Sequence, residues 1–163
     1  MHRLPLLVAL TLVLACSEAA GPGTTAGPAF DVRDTVFQLD SLGTVVHVAI
    51  PYRLVNASGR TLYVDNCGNG VDLERQVDDR TWTTAWDRVR ACAQSTPRPL
   101  WPNDSIVGVF DVDGTLQLNS LQRFDIPTDP LWHFRLRLPL YNANGTPIPE
   151  SAQTRSTTFT IMP

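Results

Sequence analysis

The chain has 163 residues, 43% of them hydrophobic and 18% charged, with a net charge of −3 and every one of its 13 basic residues an arginine. That is enough for one globular domain and too apolar for a disordered chain, and it lacks the basic excess of a nucleic-acid binder. No apolar run reaches the roughly 20 residues a membrane-spanning helix requires.

Met1-His2-Arg3 is positively charged and Leu4 to Ala15 is a short apolar run. Together they match the charged and apolar regions of a secretory signal. The run ends in Val13-Leu14-Ala15-Cys16, which resembles the bacterial lipobox: an aliphatic residue, a tolerated residue, a small residue, then Cys. In that family the Cys thiol takes a diacylglycerol as a thioether, the chain is cut before Cys, and the new amine is acylated. The resemblance implies a signal peptide over 1–15, lipidation at Cys16 and a membrane held through N-terminal acyl chains. Several chains hold far better than one, at ~0.8 kcal/mol per buried CH₂. Ser17 stands where Asp would be the familiar inner-membrane retention signal, so the resemblance points to an outer membrane in the cell envelope. The alternatives are a plain secretory signal with an incidental Cys, or a core strand. The second conflicts with the Gly, Pro, Ala and Thr that follow. Residues 16–33 read as the lipidated Cys and a flexible linker, and 34–163 as the folded domain.

Three Cys is an odd count, and lipidation of Cys16 leaves Cys67 and Cys92, with 24 residues between them. In an oxidising compartment such a pair reads as a disulfide, with roughly 3 kcal/mol from chain entropy. A metal site would need more ligands than two Cys without a nearby His can give.

Strand patterns fill the rest of the chain. Over 44–56 Val46, Val48, Ile50, Tyr52 and Leu54 fall on one face, and His47, Ala49, Pro51 and Arg53 on the other. Pro51 cannot donate a ladder bond, so an edge or a bulge is expected there. Residues 56–60 read as a turn with Gly59 free to take positive φ, and 61–67 as the returning strand. Residues 71–77 and 82–86 form a hairpin, 98–104 a Pro-rich loop, and 105–112 a strand ending in an Asp113-Gly114 hairpin turn. Over 131–140 Trp132, Phe134, Leu136 and Leu138 alternate with His133, Arg135 and Arg137. After a loop over 142–149, residues 154–162 read as one closing strand. No long segment has a helical period. Seven to nine short strands argue for an all-β, antiparallel sandwich.

The stretch from Pro51 to Gly68, a Trp hairpin, a second Cys, "FRLRL" and a closing "TFTI" resemble small, uncharacterised bacterial lipoproteins that carry one immunoglobulin-like β-sandwich. The resemblance covers nearly the whole mature chain and implies the immunoglobulin-like fold but no activity. One departure is visible: a Pro-Gly turn is expected before the sixth strand, and this chain has "WPND".

Chemistry is sparse. The mature histidines, His47 and His133, alternate away from the apolar side, and no nucleophile elbow or His-Glu-x-x-His is present, so neither an enzyme nor a cofactor or metal is expected. "DVDG" at 111–114 lacks the further oxygens of a calcium loop and reads as a turn. Asn56, Asn103 and Asn144 open glycosylation sequons, expected to be unused in a bacterium. His133, Arg135 and Arg137 read as a solvated face with acidic cross-strand partners, the alternative being an anion or headgroup patch. Of the indoles, Trp132 is expected in the core and Trp101 packed against the sandwich end, or exposed as a contact for sugar or protein. The leading expectation is a non-catalytic, anchored binding or scaffold domain whose partner is an envelope protein, peptidoglycan or glycan. The alternative is a protease inhibitor acting through an exposed loop at 95–104, with Arg98 and Trp101 as its contacts.

Overall fold

A computed structural model describes residues 27–66, 70–86, 96–117, 123–125 and 132–163. The expected signal region over 1–15, Cys16, Cys67 and Cys92 lie outside the described residues. Thirteen strands occur among those described, more than the seven to nine expected, because several pieces are only two or three residues long. They are β1 (Ala29–Val32), β2 (Val36–Gln38), β3 (Asp40–Leu42), β4 (Val45–Val55), β5 (Leu62–Val64), β6 (Asp72–Gln76), β7 (Trp82–Trp86), β8 (Arg98–Leu100), β9 (Ser105–Thr115), β10 (His133–Leu138), β11 (Leu140–Tyr141), β12 (Thr154–Arg155) and β13 (Phe159–Met162). The fold is an all-β sandwich of antiparallel sheets, with a single parallel pairing, β2 on β13, among the described strands.

In the first sheet β4 is central. It pairs with β9 over all eleven of its residues, and on its other side with β1 and β3. The second sheet runs β2-β13-β10-β6-β7, with β12 also on β10, and a small third sheet runs β11-β5-β8. The inward residues of β4 named above are all buried, as are Phe134, Leu136 and Leu138 of β10. Phe134 stacks between Phe124 and Phe159, with ring centroids 6.0 and 6.4 Å away. Trp132 is half-buried against this core rather than inside it.

Pro51 lies mid-strand, yet its surroundings are locally those of an edge. Its carbonyl accepts the Arg33 N–H (3.0 Å), on the side away from β9. A residue's N and C=O point the same way in an antiparallel ladder, so the missing donor would also face that side. There β3 covers 45–47 and β1 covers 52–55, and Pro51 falls between them. Gly108 is required by close approach, since a Cβ there would meet the Tyr52 ring at 2.9 Å.

Five expectations are corrected. Ala29–Val32, read as linker, is β1: Phe30 alternates inward and packs edge-on against Tyr52 at 5.7 Å, so the domain begins before residue 34. Asp113-Gly114 is not a turn but part of β9, opposite His47 and Val46, because the long ladder with β4 outweighs a local turn preference. Arg98–Leu100 is a strand and not a loop. Its partner β5 therefore pairs with β8 and β11 instead of returning along β4. The closing segment splits into β12 and β13 at Ser156, whose hydroxyl accepts the Leu136 N–H (2.9 Å). Gly59 does not take positive φ; Gly43 does, at 63°, in the turn between β3 and β4.

Candidate functional site

The residues that sequence singled out for contact, Arg98 and Trp101, lie at the end of the sandwich where β4 finishes. Asn56 organises this end. It is fully buried, and each of its polar groups has a partner: Nδ2 donates to the carbonyls of Arg60 (2.8 Å) and Leu100 (2.9 Å), and Oδ1 accepts from Ser58 N–H (3.1 Å) and Oγ (2.5 Å). Its backbone N–H donates to Asp104 O, and its own carbonyl accepts from Asn103 N–H. The Asn56 side chain thus ties the turn after β4 to β8, and its backbone ties that turn to the start of β9. A committed, buried amide is also a poor glycosylation acceptor.

The "WPND" turn follows β8. Asp104 N–H donates to Trp101 O (3.0 Å), Pro102 occupies the second position, and Asn103 has φ 69°. This is the pattern of a type II turn, which needs positive φ at its third position and accepts Asn there as well as Gly. Pro-Asn therefore does the work of the expected Pro-Gly. Arg98 and Pro99 are exposed on β8, an edge strand of the third sheet, while Leu100 is buried. Trp101 is 58% exposed, so the expected packing against the sandwich end does not occur. Beside it Tyr141, Tyr63 and Pro99 lie opposite one another across the third sheet. A cleft of about 150 Å³ opens beside these tyrosines, with Arg60, Leu62, Asn142 and Ile148 also in its lining.

The same end exposes Val107 and Val109 on the outward face of β9, residues to which sequence assigned no role. The signal was present: with Phe110 and Val112 inward, the odd positions from 105 to 113 must face out.

The remaining candidates lie apart. His47 Nδ1 is 2.9 Å from Asp113 Oδ1, both exposed, and His133 contacts Gln76 at 3.2 Å on the other sheet. Asp111 and Asp113 stand on a strand. Asp78 accepts the Arg80 and Thr81 backbone N–H groups, which holds its carboxyl below the ordinary value. Arg135 and Arg137, expected to be exposed, are half-buried because Glu74 and Asp72 reach across from β6. Arg135 Nε is 2.7 Å from Glu74, and Arg137 Nη2 is 2.7 Å from Asp72. Glu74 also lies 3.4 Å from Arg137 Nε and 3.7 Å from Arg155 Nε, while Glu150 bridges Arg137 and Arg155. Burial alone would lower the Arg137 pKa; the Asp72 hydrogen bond and the charges of Asp72, Glu150 and Glu74 outweigh it, and the pKa is raised. The Arg135 guanidinium sits 4.0 Å from the centre of the Trp82 ring.

Among the described residues no group of three or more His, Cys, Asp or Glu could hold a metal ion, and no helix is long and apolar enough to cross a membrane. No protein-family model and no curated protein matches the chain.

Proposed function

We propose that this chain is a lipid-anchored protein of the bacterial cell envelope whose immunoglobulin-like sandwich is a non-catalytic binding or scaffold domain. The observation that carries the reading is Val13-Leu14-Ala15-Cys16, closing an apolar run and followed by twelve small or polar residues before β1 begins at Ala29. Cys16 is then the acylated N-terminus, and Cys67 and Cys92 are left to form a disulfide. Strand order supports the immunoglobulin-like part: β1-β4-β9 corresponds to strands A-B-E, and β13-β10-β6-β7 to G-F-C-C′. The protease-inhibitor reading is the weaker one, because Arg98–Leu100 runs in a ladder with Leu100 buried and does not protrude.

Cys16→Ala tests the anchor. Cells fed a clickable palmitate analogue should label the wild type and not the variant, and detergent-phase partitioning should move the variant to the aqueous phase. Equal labelling of both would refute acylation at Cys16.

A further inference from the structure

We infer that the anchored domain lies against its own bilayer, with Trp101 and the adjoining end of the β1–β4–β9 face seated in the headgroup layer. This rests on the lipid-anchor reading. The chain enters the sandwich at Ala29, beside Val55, whose neighbour on the other side is Ser105. Residues 17–28 separate that point from Cys16. Fully extended they reach at most ~40 Å, and as a flexible chain they average ~20 Å. Of the whole domain, this end is the part the tether holds nearest to lipid.

Its surface suits that position. Moving from the tether end along the outward face, the rows are Ala29, Val55 and Ser105, then Asp31, Arg53 and Val107, then Arg33, Pro51 and Val109. Val107 is 74% exposed, and with Trp101 it puts two large apolar side chains at this end. An indole with an apolar body and a polar N–H favours the layer between water and hydrocarbon. A shallow, mostly apolar cavity of about 350 Å³ opens here, its charged lining residues being Arg33, Arg53 and Asp31. Two guanidinium groups against one carboxylate leave a net positive charge, which suits phosphate oxygens.

Charge along the face sets the orientation. At the tether end the exposed arginines 33, 53, 60 and 98 face Asp31, Asp34 and Asp104, so the balance is slightly positive. At the opposite end, among the described residues, Asp40, Asp111, Asp113 and Asp125 accompany His47 and Arg123, so the balance is negative. An anionic bilayer attracts the first and repels the second, turning the tether end toward lipid.

The test uses the full acylated chain in vesicles of phosphatidylethanolamine and phosphatidylglycerol whose acyl chains carry bromine, a contact quencher of indole fluorescence. The wild type should be quenched. Trp101→Phe, a change at an exposed side chain, should lose most of that quenching. Val107→Asp, which keeps the indole but adds an anion beside it, should weaken it too. Arg33→Gln/Arg53→Gln should weaken quenching in these vesicles and not in phosphatidylcholine alone. If wild type and Trp101→Phe float with vesicles and are quenched equally, Trp101 is not seated in the bilayer and the inference is overturned. If the wild type does not float at all, the anchor reading itself fails. Retention on purified peptidoglycan that Trp101→Phe abolishes, without lipid quenching, would give this end to a glycan and overturn membrane docking.

Discussion

On β10 every second side chain points away from the core, and on β9 the same alternation holds, yet the two outward faces differ. Beside β10 stands β6, which supplies Asp72 and Glu74 opposite Arg137 and Arg135. Long side chains of opposite charge cover one another, so Glu74 keeps only 10% of its side-chain exposure, Arg135 19% and Arg137 25%. Across the first sheet the outward neighbours of β9 are Arg53, Pro51, Ala49 and His47. Two of these are short or rigid and face Val109 and Asp111, while Val107 faces Arg53, whose acidic neighbour Asp31 stands on its other side, so little of β9 is covered and Val107 stands open. Period two fixes which way a side chain points; the neighbour across the ladder decides whether it meets water.

The sharpest way to break this comparison is to cross from the inward side of β10 to the outward side of β9. Phe134, fully buried and stacked between two rings, should cost about 3–5 kcal/mol as Phe134→Ala. Val107→Ala, on the open face of β9, should stay within about 0.5 kcal/mol. Denaturant midpoints at equal m-values decide it, and similar losses for the two would mean that the inward and outward sides are wrongly assigned.

Next in size is the covered outward face itself. Glu74→Gln keeps the shape but removes the charge that three arginines approach, Arg135 most closely. A charged hydrogen bond with little solvent should cost about 2–3 kcal/mol. The exposed His47–Asp113 pair should lose at most about 0.5 kcal/mol in Asp113→Asn, and salt should reduce even that. Equal losses at the two sites would show that burial of the network adds nothing.

What could be read from sequence follows the same physics. The faces of β4 and β10 were legible because each has at least five alternating residues with large apolar groups on one side. Phe30 and Val32 alternate too, but over four residues beside a Gly- and Pro-rich stretch, and the segment read as linker. Arg98–Leu100 has three residues and no period to detect. Asp113-Gly114 carries a strong local turn preference, and only the partner strand, some 66 residues away at His47, shows why it stays extended. At the candidate site, Arg98 and Trp101 were visible as residue types in a Pro-rich segment. The role of Asn56 was not, because its partners, Arg60, Leu100, Asn103 and Asp104, come together only when β8 pairs with β5. Cross-strand partners such as Glu74 could be expected in kind but not named until the register was known.

The smallest effect lies where the open face begins. Asn103 holds φ 69° just before β9, in the position a type II turn usually gives to Gly. Left-handed backbone costs an ordinary L-residue ~1–2 kcal/mol, and Asn less than most. Asn103→Gly removes what remains of that cost but loosens the unfolded chain, so the two terms nearly cancel and stability should change by about 0.5 kcal/mol or less. Asn103→Val has a branched Cβ and should lose ~1–2 kcal/mol. Both variants keep the Asn103 N–H that donates to Asn56 O, so the difference between them isolates backbone strain from the hydrogen bond. Thermal midpoints of the two variants against the wild type are sufficient. A valine variant as stable as wild type would mean that residue 103 is not held left-handed. The turn that sets Trp101 and Ser105 apart would then have some other shape, and the contrast between the open face of β9 and the covered face of β10 would lose its starting point.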